Sequence, residues 1–150
     1  MCVVDEDGGL RLPDFVRATL DRRSDSNILM IAPHERDSCL VGYDPDYAGT
    51  LYLEQERLRL GEEGSGLSDA RARRMFGRVE EAARQRDGAI ALPGVLRHKA
   101  GIADRALFVG TAGMFEIWNP QRALESGDPA LSEIASWRVE PDIPPARQET

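Results

Sequence analysis

The stretch "DGGLRLP", Asp7–Pro13, returns as "DGAIALP", Asp87–Pro93, eighty positions further along a chain of 150 residues. In both copies an Asp-Gly turn leads into a short apolar strand, and a proline closes it. The likeness continues past the proline. Phe15 and Val16 are answered by Val95 and Leu96, and Arg17 by Arg97. Proline where a strand gives way to a helix predicts a first-turn position, at which its missing N–H costs nothing. Helical spacing then predicts one apolar stripe from Phe15, Val16 and Leu20 and another from Val95, Leu96 and Ala100, with Gly101 as a helix stop.

Each copy next supplies two more apolar strands. "NILMIA" (Asn27–Ala32) precedes "CLVGYDP", and "RALFVG" (Arg105–Gly110) precedes "MFEIWNP". The endings Tyr43-Asp44-Pro45 and Trp118-Asn119-Pro120 both read as strand, helix N-cap, first helical residue. Each half is therefore turn, strand, short helix, strand, turn, strand, helix. The predicted organisation is a first repeat over 1–60, a linker and arginine-rich helix over 61–78 starting near Ser68, a second repeat over 79–126, and a C-terminal extension over 127–150. "GEEGSG" (Gly61–Gly66) reads as a linker, and the proline-rich tail "EPDIPPARQET" as partly disordered. Short strands flanking one short helix cannot cover both of their faces, whereas two such halves packed together can. The repeat thus predicts an α+β fold of two interlocking half-barrels. Leu12, Leu92, Phe15, Val95, Leu40, Phe115, Ile117 and Trp118 occupy matching apolar positions and are expected in its core.

Hydrophobic residues at 41% and charged residues at 30% suit a globular chain. No apolar run approaches the roughly 18 residues that cross a bilayer, and "MCVVDEDGG" lacks the basic start of a secretion signal, so a cytoplasmic location is expected. Two cysteines, Cys2 and Cys39, cannot assemble a disulfide framework or a zinc ligand set. The net charge of −7 opposes a surface wholly given to a polyanion, yet residues 65–105 carry nine basic against five acidic side chains. That block could build a local phosphate-facing field, or its arginines could pair with Glu80, Glu81 and their neighbours on a solvated helix face.

Catalytic chemistry finds little support. "APHERDSC" gathers His34, acids, Ser38 and Cys39, but it falls where a polar hairpin turn is needed. His98 has no partner at metal spacing, and the chain has no phosphate-binding glycine loop and no HExxH. No catalytic residue, metal ligand, cofactor or small-molecule substrate is expected.

The order of Asp-Gly turn, "LRLP" strand and "FVR" helix start, then "CLVGYDP", "RRMFG", the second Asp-Gly turn and "FVGTAGMFEIWNP" (Phe108–Pro120) resembles the MraZ family. The resemblance runs from about Val4 to Trp118. It implies a swapped-hairpin, AbrB-like double-split β-barrel, a DNA-binding repressor of the division and cell-wall gene cluster, nucleoid association, and a homo-oligomeric ring of subunits. It further implies that Asp-x-x-x-Arg turns face DNA. In this chain the arginine positions fall on Gly9 and Ala89, and the aspartate positions on Asp5 and Gln85. Arginine serves such a site through bidentate contact with phosphate or guanine, which neither glycine nor alanine replaces. Arg11 in the first copy, two residues beyond Gly9 on the same strand face, and Arg84 and Arg86 in the second are the candidate substitutes. Asp7 and Asp87 read as turn formers. Only "MCVV" precedes Asp5, where the resemblance implies a full strand, so this edge is expected to be truncated or unfinished. Two functions remain open: a sequence-specific DNA-binding regulator, or an oligomeric interaction scaffold that has kept the fold and lost DNA affinity.

Overall fold

The computed structural model describes residues 1–61 and 66–139. Along the chain run β1 (Cys2–Val3), β2 (Gly9–Arg11), α1 (Asp14–Arg23), β3 (Ile28–Pro33), β4 (Leu40–Tyr43) and α2 (Pro45–Gly61). Then come α3 (Gly66–Phe76), β5 (Glu80–Ala83), β6 (Ala89–Ala91), α4 (Gly94–Ala100), β7 (Arg105–Gly110), β8 (Phe115–Trp118), α5 (Pro120–Leu124) and α6 (Pro129–Val139). The proline-rich tail and the middle of the "GEEGSG" stretch lie outside the described residues. Helix α3 opens at Gly66, ahead of the expected start near Ser68. Pro13 and Pro93 sit one position earlier than expected, at the N-caps of α1 and α4 rather than inside them.

The six-stranded sheet has the order β1-β7-β8-β4-β3-β5, with antiparallel pairing throughout, and it curls into a half-barrel. Exchanging β1 with β5, β3 with β7 and β4 with β8 reverses this order and leaves it unchanged. A pseudo-twofold axis therefore passes between β4 and β8, where Val41 faces Glu116. The same axis crosses the separate β2–β6 ribbon, where Leu10 faces Ile90. Each half lends an outer strand to the other: β1 pairs with β7, and β5 pairs with β3. This is the swapped-hairpin double-split barrel of an α+β protein. Strand β5 carries a correction, since Glu80 and Glu81 belong to its exposed positions and not to a helix face shared with the arginines.

One large cluster fills the barrel, drawing Leu10, Leu12, Val16, Leu29, Ile31 and Leu40 from the first half and Ile90, Leu92, Leu96, Phe108, Phe115 and Ile117 from the second. Leu12, Leu92, Leu40, Phe115, Ile117 and Trp118 are buried as expected. Phe15 and Val95 are not, at 46% and 68% exposure. The stripe that faces the barrel is Val16 with Leu20 and Leu96 with Ala100, an i, i+4 pair in each helix. Phe15 and Val95 lie one residue, about 100°, around the helix from it. Gly101 ends α4 in the left-handed conformation at φ 66°, as its place in the sequence predicts. Asn119 caps α5 by accepting from the backbone N–H groups of Gln121 and Arg122, and Asp44 caps α2 by accepting from Tyr47 N–H.

Both cysteines are buried. Burial raises the Cys39 thiol far above its ordinary value of 9.0, and the carboxylates of Glu116 and Asp37 add to the effect. Burial likewise raises Cys2 and Tyr43. In all three the folded state favours the protonated form. Their contribution to stability is therefore complete below the unfolded-chain values and is lost as pH climbs above them. The urea midpoint is expected to hold between about pH 7 and 8 and to fall beyond about pH 9, the range in which unfolded thiols and then tyrosine ionise. A thiol-reactive dye should leave Cys39 untouched until the chain unfolds.

Candidate nucleic-acid interface

The β2–β6 ribbon has two faces. Leu10 and Ile90 point into the barrel, and Gly9, Arg11, Ala89 and Ala91 share the outward side. Each strand is entered through a tight turn whose backbone is the same in both halves. Asp5 N–H donates to Gly9 C=O and Gly8 N–H to Asp5 C=O; Gln85 with Ala89, and Gly88 with Gln85, repeat the pattern. Gly8 and Gly88 both sit at φ 85°, a conformation glycine adopts without steric cost. The turns are also tied across the axis, with Leu12 N–H donating to Gly88 C=O and Leu92 N–H to Gly8 C=O, each at 2.9 Å.

Side chains break this symmetry. In the first turn the Asp5 carboxylate folds over Gly9, its Oδ1 accepting from Asp7 N–H at 2.9 Å and Gly9 N–H at 2.8 Å. A Cβ on Gly9 would lie 2.5 Å from Asp5 Oδ2, so the carboxylate occupies the space where a larger residue would begin. In the second turn Asp87 takes the capping role, accepting from Ala89 N–H at 3.0 Å, which agrees with its reading as a turn former. Arg11 does not serve the first turn. Antiparallel register sets it opposite Ala89, and its Nε donates to Asp87 C=O at 2.9 Å, so its guanidinium lies at the second turn. The sequence placed Arg11 on the correct face but could not tell which strand end it would cross to.

Arg84 is largely enclosed and pairs with Asp21 at 2.7 Å, tying the second turn to α1. Arg86 is exposed and its side chain makes no hydrogen bond or ion pair among the described residues. Arg17 was seen in the sequence only as a repeat match, yet it lies across the second turn, where a Cβ on Gly88 would meet its Nε at 2.6 Å. Its mate Arg97 lies against Gly8 but is fully engaged, donating to the carbonyls of Ile102, Glu6 and Ala103. Arg17 has none of these bonds and only a distant ion pair with Asp14 at 3.8 Å. Helix lengths explain the difference. Helix α4 ends three residues after Arg97 and turns its following carbonyls back under the guanidinium, whereas α1 continues six residues beyond Arg17. A cavity of about 260 Å³ opens here, lined by Arg17, Arg84, Arg86, Gln85, Asn27 and Asp21.

The His34 hairpin offers a second group, in which His34, Asp37 and Glu116 bring one ligand atom each to within 4.8 Å of one another. The histidine is turned the wrong way for a metal. Its Nδ1 accepts from the backbone N–H groups of Arg36 and Asp37, both at 3.0 Å, so the ring proton sits on Nε2, the atom facing the two carboxylates. A ligating nitrogen must be bare while its partner nitrogen donates. The polar hairpin turn read from the sequence is what this geometry supports.

No family model matches the chain. It is 31% identical over 123 residues to the protein named "Transcriptional regulator MraZ" of Rhodospirillum rubrum, covering 82% of this chain and 77% of that one. A protein of the same name in Rickettsia bellii is 29% identical over 120 residues, 79% of this chain and 76% of its own. A third, in Parvibaculum lavamentivorans, is 27% identical over 117 residues, covering 78% and 71%. The alignments extend over most of a chain whose strands exchange between two repeated halves, and on that basis it belongs to the MraZ family of transcriptional regulators.

Proposed function

We propose that this chain is a DNA-binding regulator that lays the outward face of the β2–β6 ribbon against duplex DNA. Its targets are repeated promoter sites of the division and cell-wall gene cluster, reached as a ring-shaped homo-oligomer associated with the nucleoid. The observation that carries the reading is the ribbon itself. Two identical glycine turns bracket an outward face on which Arg11 and, beside it, Arg86 stand exposed. No helix among the described residues is long and apolar enough to cross a membrane. One subunit with so few cations binds weakly, but subunits linked in one particle raise the effective concentration at neighbouring sites and turn weak contacts into useful affinity.

The loss of guanidinium at Gly9 and Ala89, together with the acidic run Asp5-Glu6-Asp7, favours a second reading, a scaffold that no longer holds DNA. Fluorescence anisotropy on promoter and scrambled duplexes at two salt concentrations separates them. The regulator binds with a salt slope of about 0.9 per phosphate contact and prefers the promoter. Ala89→Arg is expected to tighten binding. Gly9→Arg should gain less, because its Cβ must first displace the Asp5 carboxylate, which accepts hydrogen bonds from the Asp7 and Gly9 N–H groups. Negligible wild-type binding to both duplexes at low salt, with affinity appearing only in Ala89→Arg, would establish the scaffold.

A further inference from the structure

We propose that DNA contact, on the reading above, is made at one end of the ribbon only: the arginine cleft of the second turn seats a backbone phosphate, and the first turn takes no part. The two ends have equivalent backbones and opposite chemistry. At the second turn stand Arg86, Arg17 and the guanidinium of Arg11, which crosses to it from β2, with Arg84 behind them. At the first turn the equivalent positions hold Glu6 for Arg86, Arg97 for Arg17, Ala91 for Arg11 and Val4 for Arg84. Glu6 is acidic, Ala91 and Val4 are uncharged, and Arg97 has its donors on three carbonyls.

The cleft has the features a phosphate requires. Its volume of about 260 Å³ takes the group with its ester oxygens, and three arginines from two elements line it. Arg84 is held by Asp21 at 2.7 Å and so serves as a fixed wall, not as a mobile ligand. Arg17 and Arg86 are the contacts: Arg86 has no hydrogen bond or ion pair among the described residues, and Arg17 has only the 3.8 Å pair with Asp14. Arg17 is also pre-positioned, because it lies flat over Gly88, where no Cβ can lift it away. Charge-assisted, bidentate arginine contacts are the strong form of phosphate recognition. A first turn carrying Asp5, Glu6 and Asp7 would instead repel the same backbone.

Anisotropy with one promoter duplex across a salt series tests the proposal on wild type, Arg17→Ala, Arg86→Ala, the double variant and Glu6→Gln, with particle mass measured by light scattering. Arg86 is exposed and Arg17 is partly so, packed over Gly88, and unchanged circular dichroism melts confirm that both variants fold. Each should lower the salt slope by about 0.9, and the double variant by about twice that, with at least a tenfold loss of affinity at moderate salt. Glu6→Gln should leave the slope unchanged and the affinity within about twofold. Wild-type binding that persists unaltered in the double variant would overturn the cleft while leaving DNA binding intact. A lower particle mass in the double variant would overturn it too, placing the acidic turn of a second copy in the cleft. A marked gain from Glu6→Gln with a steeper slope would bring the first turn back to the DNA. If the wild type failed to bind at low salt, the DNA reading itself would fall and the cleft with it.

Discussion

Replacing Trp118 by alanine is expected to lower the unfolding free energy by roughly 3–5 kcal/mol, a large share of what a domain of this size has to lose. Trp118 closes β8 and is 4% exposed. It belongs to a cluster in which Cys39, Leu107 and Val109 of the barrel meet Ala123 of α5 and Leu131 and Ala135 of α6. Truncation opens a cavity where two helices rest on the sheet. It also leaves Glu116 Oε1 without the indole N–H that donates to it at 2.9 Å, in a carboxylate that is mostly enclosed. Both effects have the same sign, since an enclosed acceptor that loses its donor keeps its full desolvation penalty. Urea unfolding measures the change. A loss below about half a kilocalorie, typical of surface sites, would place Trp118 outside the packed core.

Gly42→Ala should destabilise by adding atoms instead of removing them, at a cost of roughly 1–3 kcal/mol. Gly42 lies on β4 directly opposite Phe115 of β8, beside the pseudo-twofold axis. A Cβ there would meet the Phe115 ring at 2.5 and 2.6 Å. The ring has little room to retreat, being 6% exposed and tilted against Phe108 with centroids 5.7 Å apart. Gly49→Ala is the natural control. Gly49 sits inside α2 with nothing within 4 Å of its would-be Cβ, so alanine there should stabilise by about 0.5–1 kcal/mol through helix propensity. Opposite shifts of the two urea midpoints are expected. A neutral Gly42→Ala would mean that the centre of the sheet is looser than its contacts indicate.

Periodicity and punctuation in the sequence carried most of the fold. The Asp-Gly turns, the Asx-Pro strand endings and Gly101 announce themselves because each marks a backbone conformation few residues adopt. Strand β5 was illegible for the opposite reason: "EEAA" has charge and helix propensity, and it becomes a strand only because β3 offers it an open edge. Phe15 and Val95 misled because two adjacent apolar residues give a helix two candidate faces, and only the neighbouring barrel decides between them. The site was harder still. Arg86 and Arg84 stood in view beside the turn. Arg11 could be assigned to the wrong turn because strand pairing between the halves is not written in either half. Arg17 matched Arg97 residue for residue, and what separates them is the length of the helix that follows.

The exchange of outer strands also has a consequence during synthesis. Strand β3 leaves the ribosome about fifty residues before β5, and β4 about seventy-five before β8, its partner across the axis. At roughly 5–20 residues per second, the first half waits several seconds with apolar strand edges open. Those strands, "ILMIAP" and "LVGY", are uncharged. They are therefore the segments through which a nascent chain would pair with its neighbours on a polysome, and where a holding chaperone would first be needed.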